Sequence, residues 1–239
     1  EIDEGDPYNE ILANKSINNL KSLNFFKNVS SETVQGSSVD SKVININIEE
    51  KATGEISAGA GVGTSGSTIA FGVKENNYLG KGITLDANFT LSEESLKGLF
   101  SVTNPNFRNT DKSINFSTEA IETDRLSAFG YKTNKTGFSI GTNFEFLDNL
   151  RLGLGNSNYY EKIETDSTAS DRQKKQEGDY IDSFLQFGAT LDKRNQKFQT
   201  TDGFRTKFTQ TLPLISESNT IVSGLTYDHF FSFDELTTS

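Results

Sequence analysis

The sequence contains no cysteine, no methionine and no tryptophan, and only three prolines and one histidine. Without cysteine there is no disulfide scaffold and no thiol chemistry, and a single imidazole excludes the usual zinc sites. Long hydrophobic runs are missing as well. The apolar-rich stretches are no longer than Ile69–Val73, whereas a helical membrane span needs about 20 mostly apolar residues in a row. Positive charge is scarce. The 239 residues carry 23 basic and 33 acidic side chains, a formal net charge of −10. That balance argues against nucleic acid as a partner, because phosphate binding needs clustered Lys and Arg. With Glu1 in first place and no methionine anywhere, the expectation is a removed leader or an internal fragment.

Catalytic constellations are equally scarce. The one histidine, His229, stands beside Asp228 on a predicted strand, where a structural or lumen-facing role outweighs catalysis. Ser-His-Asp chemistry would have to use it, and no nucleophile elbow is expected. Gly59–Gly66 looks like a phosphate loop but lacks the Gly-Lys-Ser/Thr ending and a following helix, so it reads as a Gly-rich strand that bends easily. The acidic residues of Asp166–Asp179 lack the spacing of a calcium loop and read as a solvated connection. No catalytic residue, metal or cofactor is predicted, and an enzyme is not expected.

The first fifty residues read as a small α+β unit. Asp6-Pro7 has the form of a helix start, and Ala13, Ile17 and Leu20, with Leu23 one turn further, give an amphipathic helix from about Pro7 to Leu23. Asn24 suits a left-handed position after the helix, and Phe25-Phe26 would dock its end. Lys27–Gln35 and Lys42–Glu50 read as strands joined by Gly36-Ser37-Ser38.

From Ala52 onward the period changes to two. Ile56, Ala58, Ala60 and Val62 alternate with Glu55, Ser57, Gly59 and Gly61. The same alternation recurs at Ile69–Val73, Ile83–Leu91, Ile114–Ala120, Phe138–Phe146, Leu150–Leu154, Phe204–Leu212 and Ile221–Phe233, and more weakly at Leu96–Phe107 and Phe184–Leu191. This predicts about ten strands of about 9–13 residues, longer than the five or six usual in soluble sheets. Each has one apolar and one polar face. Two architectures accept that pattern: a soluble sandwich with apolar faces inside, and a transmembrane barrel with apolar faces toward lipid. Strand length, aromatic residues at strand ends (Tyr78, Phe107, Phe146, Tyr159-Tyr160, Phe198, Phe230-Phe231) and alternating short and long connections favour the barrel. The short turns are Asn77–Gly82, Arg108–Lys112 and Leu147–Asn149, and the long polar loop is Glu161–Asp179. The tight linker Lys51–Gly54 puts the short turns on the same side as the first fifty residues.

Four segments, in order and at matching spacing, resemble one family. Asn18-Asn19-Leu20-Lys21-Ser22-Leu23-Asn24-Phe25-Phe26-Lys27-Asn28-Val29 resembles the helix-to-strand passage of the last POTRA domain in BamA-type outer-membrane assembly factors. Asn77-Tyr78-Leu79-Gly80-Lys81-Gly82 is similar to the family's N-[FWY]-L-G-[RKT]-G turn, and Ser101-Val102-Thr103-Asn104-Pro105-Asn106-Phe107 to its S-x-T-x-P-[YW]-F turn. Asp192, Arg194, Phe198 and Gly203 fall in a segment that resembles D-x-R-x-x-x-F-P-T-x-G, although Gln199 or Thr200 stands where the family has Pro. Asn24 replaces a Gly before the paired aromatics, and Asn106 replaces an aromatic.

The resemblance implies the C-terminal part of a POTRA domain at 1–50, in the periplasm. At 52–239 it implies the N-terminal part, about ten strands, of a sixteen-stranded outer-membrane β-barrel. It further implies an assembly factor that inserts other barrel proteins through a lateral seam, or a related exporter of a passenger protein; a soluble β-rich binding domain is the third reading. The seam strand would be Gly54–Thr64. Gly54, Ile56, Ala58, Gly59, Ala60, Gly61, Val62 and Gly63 would bind a client's terminal strand by edge addition, and Val43–Glu49 could help deliver clients in the same way. The partners implied are unfolded outer-membrane proteins, outer-membrane lipid and accessory lipoproteins.

Overall fold

The computed structural model describes residues 4–39, 41–63, 66–195, 200–217 and 219–232. The chain divides into two compact units after Gly54. In the first, α1 (Glu10–Ser22) is followed by the antiparallel pair β1 (Phe26–Gln35) and β2 (Lys42–Glu50), with Val29 opposite Ile48. The helix starts later than Asp6-Pro7 predicts. Asn9 is the cap, its Oδ1 accepting from the backbone N–H groups of Ile11 and Leu12, which would otherwise lack partners. Ala13 and Ile17 are buried, as is Val29. Leu23 falls at the C-cap and stays exposed, because the chain turns away at Asn24, which is left-handed at φ 58°.

The second unit is one ten-stranded antiparallel sheet whose strands lie side by side in chain order. They are β3 (Gly54–Gly63), β4 (Gly66–Tyr78), β5 (Ile83–Ser92), β6 (Ser95–Asn104), β7 (Ser113–Arg125), β8 (Tyr131–Leu147), β9 (Leu150–Thr165), β10 (Gly178–Asp192), β11 (Asp202–Ile215) and β12 (Val222–Phe231). β3 and β12 form its edges. A single continuous sheet of this order is not the two facing sheets of a sandwich.

The sheet is two-faced throughout. On one face apolar side chains meet across strands: Phe71 opposite Phe89, Phe116 opposite Ile140, Leu154 opposite Phe187, Phe208 opposite Leu225. All eight are exposed. On the other face Ser139 Oγ donates to Ser157 Oγ at 2.8 Å, and Asn88 donates to Asp86. Apolar residues outward and polar residues inward is the arrangement of a membrane barrel wall. Among the described residues no helix is long and apolar enough to cross a membrane.

Three expectations change. β8 runs for 17 residues and β9 for 16, beyond the predicted range. The long loop contracts to 166–177, because β9 continues to Thr165 and β10 starts at Gly178. There the outward face itself turns polar. The row Ala120–Thr136–Tyr160–Ile181 is followed by Glu122–Asn134–Lys162–Asp179 and then by Asp124–Lys132–Glu164. With the outward face polar the apolar-outward alternation is lost although the ladder goes on. Finally, among the described residues two single-turn α-helices occur after residue 52, α2 (Leu126–Phe129) and α3 (Asp171–Lys174), the latter with a Ser170–Gln173 capping box, together with a 3-10 turn at Phe107–Asn109.

Candidate functional site: the edge strand and the turn motifs

β3 pairs with β4 on one side only, and all ten of its residues are exposed. Ile56 is 77% exposed and Val62 88%. Ala58 and Ala60 share their face by alternation, while Gly59, Gly61 and Gly63 fall on the polar face. A Cβ added at any of these three glycines would meet nothing within 4 Å. The contrast is Gly72 on β4, where a Cβ would come 2.6 Å from Ser57 Oγ and 2.8 Å from Asn88 Oδ1. Packing therefore requires glycine at 72 but not at 59, 61 or 63. What these three do is leave the strand with little side chain to hold it and more backbone freedom to lose. Its outer row of N–H and C=O groups can template another strand.

The turn motifs are built from their own residues. In the β4–β5 turn Asn77 Oδ1 accepts from Gly82 N–H at 2.7 Å, and Gly80 N–H donates to the Asn77 carbonyl at 3.0 Å. Leu79, Gly80 and Gly82 are left-handed at φ 57°, 70° and 66°. For Leu79 that conformation costs about 1–2 kcal/mol, yet the side chain is 72% exposed and Tyr78 beside it is exposed as well. In the β6–β7 turn Asn104 Oδ1 accepts from Asn106 N–H at 3.1 Å across Pro105, and Phe107 N–H donates to the Lys112 carbonyl at 2.8 Å. In the β10–β11 turn Arg194 donates twice to Asp192, at 2.8 and 2.7 Å, and its guanidinium lies 5.7 Å from the Phe230 ring centroid. Arg205 pairs with Asp228 alongside, its nearer nitrogen at 2.7 Å. Gly203 closes this turn at φ 102°, where a Cβ would collide with the Lys193 carbonyl oxygen. Phe198 lies outside the described residues. All three turns leave from the end of the sheet at which β3 begins. They are three separate structures, not one pocket.

His229 sits on the outward face, not in the lumen. It stacks with Tyr227 at 6.3 Å in a row that continues to Phe231 at 6.0 Å, and Tyr227 in turn meets Phe204 at 5.9 Å. Such a row is what a membrane–water boundary collects. Gly137-Phe138-Ser139-Ile140-Gly141 has the spacing of a nucleophile elbow but runs straight through β8, with Ser139 bonded to Ser157. It lacks the strand-to-helix turn that exposes a nucleophile.

The sequence reading missed one feature. On the polar face a groove of about 490 Å³ is lined by Asn115, Asn143, Gln186, Arg151 and Lys207 over several glycines. The signal available was glycine on the polar parity of adjacent strands, at Gly141, Gly153, Gly155 and Gly188.

The sequence profile of the Omp85 superfamily domain matches residues 77–236. The chain belongs to the Omp85 superfamily. This Omp85 chain is similar to the outer membrane protein assembly factor BamA of Neisseria meningitidis serogroup B, with 26% identity over 158 residues, 64% of this chain and 20% of that protein. Its fold is similar to the crystal structure of BamA from Haemophilus ducreyi lacking POTRA domains 1–3, with a TM-score of 0.67 and 22% identity over 90% of this chain and 44% of that one. It also resembles CdiB from Acinetobacter baumannii, with a TM-score of 0.52 and 10% identity over 95% and 44%. The chain thus spans a fifth of the Neisseria protein and under half of either solved chain. The ten-stranded sheet matches part of a BamA-type transmembrane barrel, and as a member of this superfamily the protein belongs to the outer membrane.

Proposed function

We propose that this chain serves in an assembly factor that folds and inserts other β-barrel proteins into the outer membrane, with β3 as the lateral seam. The feature that supports this reading is the run of glycines on the first barrel strand, Gly59, Gly61 and Gly63, where a Cβ meets nothing within 4 Å among the described residues. Gly54, Ile56, Ala58, Gly59, Ala60, Gly61, Val62 and Gly63 would present their backbone to the terminal strand of an unfolded client, which adds by hydrogen bonding. Low side-chain contact on β3 makes that exchange cheap. Residues 1–50 would be the C-terminal part of a periplasmic POTRA domain, with Val43–Glu49 as a second edge for clients, and 52–239 the N-terminal part of the barrel. The motifs at Asn77–Gly82, Asn104–Phe107 and Asp192–Gly203 would fix the periplasmic turns. Lipid beside the seam and accessory lipoproteins complete the set of partners.

The alternative on the same fold is export of a passenger through the lumen. The polar inner wall favours it.

Photocrosslinking in the full-length protein separates the two. A probe at Ala60 on the seam strand should capture a client's terminal strand, well above the level from inner-facing Asn115 on β7. A yield at Ala60 no higher than at Asn115 overturns the seam reading, and a passenger captured at Asn115 selects export.

A further inference from the structure

We propose that the lipid-facing wall of β8–β10 seats one lipid of the outer leaflet, a phosphoglycolipid held by an amide-linked, hydroxylated acyl chain. By alternation Leu150, Leu152, Leu154, Asn156, Asn158 and Tyr160 of β9 all face outward. Two carboxamides therefore stand in the lipid-facing row, between leucines and the tyrosine at the membrane boundary. Ser183, opposite Asn158 on β10, joins them. Asn158 Nδ2 donates to Asn156 Oδ1 at 2.6 Å, and Ser183 Oγ donates to Asn158 Oδ1 at 2.8 Å. Asn156 Nδ2 donates to the Phe184 carbonyl at 3.0 Å and to Ser183 Oγ at 3.3 Å.

Asn156 has a duty in the fold. The Phe184 carbonyl lies where the β10–β11 register shifts, opposite Pro213, which has no N–H to give. Asn158 has no such duty. Its side chain bonds only to Asn156 and Ser183, and its second amide N–H has no partner among the described residues. Facing hydrocarbon, such a group is costly. Beside it, Asn156 Oδ1 keeps a free lone pair. The triad thus has room for an acceptor and a donor close together. An amide carbonyl and a hydroxyl on one acyl chain supply both. An ester-linked chain without a hydroxyl supplies acceptors alone.

The chain itself has a seat. An apolar groove of about 260 Å³ crosses the same face, walled by Ile114, Ile140, Leu154 and Leu185, with the shorter Thr142 and Asn156 in its lining. Asn158 is one outward step, about 7 Å along the strand, from Tyr160. The triad therefore lies just beneath the boundary, at the depth where headgroup joins chains. The charges above it are tied to one another: Lys162 to Glu164 at 2.6 Å, and Lys132 to Glu122 at 2.7 Å. Tyr160 O–H donates to Asp179 at 2.8 Å. Recognition falls to the linkage and not to the phosphates.

The outer-leaflet placement rests on the periplasmic reading of the three short turns. Native mass spectrometry of the full-length protein, stripped of lipid in detergent, reads its affinity for two probes. One is a diglucosamine phosphoglycolipid with amide-linked β-hydroxyacyl chains; the other is phosphatidylethanolamine with plain ester-linked chains. The glycolipid is expected to bind at least fivefold tighter, and to keep that advantage after its phosphates are removed. Asn158→Leu should bring the preference below twofold and leave phosphatidylethanolamine binding unchanged. Thr142→Phe fills the groove, leaves the triad intact and should weaken glycolipid binding at least fivefold. Both variants should keep the heat-modifiable gel mobility of a folded barrel. Equal affinities in the unsubstituted protein overturn the proposal. So does a preference that survives Asn158→Leu, one lost with the phosphates, or glycolipid binding unmoved by Thr142→Phe. Orientation is read separately, by labelling Lys175→Cys on intact cells with an impermeant maleimide. Labelling there without a lipid preference defeats the lipid site alone. Labelling only after permeabilisation defeats the turn assignment, and the outer-leaflet site with it.

Discussion

At Gly203 two constraints coincide, a positive φ and a carbonyl oxygen where a side chain would begin. Gly203→Ala should cost about 2–6 kcal/mol, the sum of backbone strain and overpacking, and lower the urea midpoint of the full-length protein in detergent accordingly. Gly203 stood out in the sequence because the motif D-x-R…G marks a tight turn. Asn24 was legible for the same reason, a residue type that tolerates the left-handed region. Leu79 was not, since nothing in a leucine announces positive φ; the hydrogen bonds of the turn, from Gly82 to Asn77 Oδ1 and from Gly80 and Lys81 to the Asn77 and Tyr78 carbonyls, hold it there. The facing of His229 was also hidden. Its outward position follows from parity with Tyr227 and Phe231, and a lone polar residue in such a row is easily assigned to the wet side.

Among the elements, the outer connections are folded rather than loose. Asp166 N–H donates to the Gly130 carbonyl at 2.9 Å, and Ala169 is buried against Gly130, where a Cβ would collide with the Ala169 amide. The Asp166 carboxylate accepts from the Thr168 hydroxyl at 2.6 Å and from its N–H at 2.7 Å. These bonds, the hydroxyl first, hold the Asp166 carboxyl below the ordinary carboxylate range. A carboxyl with a lowered folded pKa stabilises fully above its unfolded pKa and loses that contribution as pH falls through the folded value. Protection of the Thr168 and Ala169 amides from hydrogen exchange should therefore stay level from neutral pH down to about pH 4 and decline only below it. In Asp166→Ala the protection should be low throughout. The strands themselves were legible because every stretch that crosses the bilayer carries its own inside–outside alternation. The upper parts of β8 and β9 were not, because Lys132, Asn134, Lys162 and Glu164 make the outward face polar there, and backbone pairing has no signature in composition.

For the whole molecule the question is how easily β3 parts. Val at 59 and 61 meets no neighbouring atom at Cβ and favours extended backbone. Gly59→Val/Gly61→Val should stabilise the edge by about 0.5–1 kcal/mol per site and reduce client crosslinking from Ala60. Unchanged crosslinking together with raised stability would separate edge stiffness from client exchange.

The strand lengths carry one more consequence. β8 is seven residues longer than β6, and the pairing sets two of them, 131 and 132, above the β6 rung at Ser95 and five, 143–147, below the rung at Asn104. At the outer end the β5–β6 hairpin keeps pace, for Asp124 N–H donates to the Glu94 carbonyl at 2.8 Å and Arg125 pairs with Glu94. The step is therefore at the opposite rim: the β8–β9 hairpin hangs below the last rung of β6 with Phe146 and Leu147 exposed, a greasy keel beside a shallower stretch of wall. Lipid of the inner leaflet is gripped deeper along that keel than next to β6.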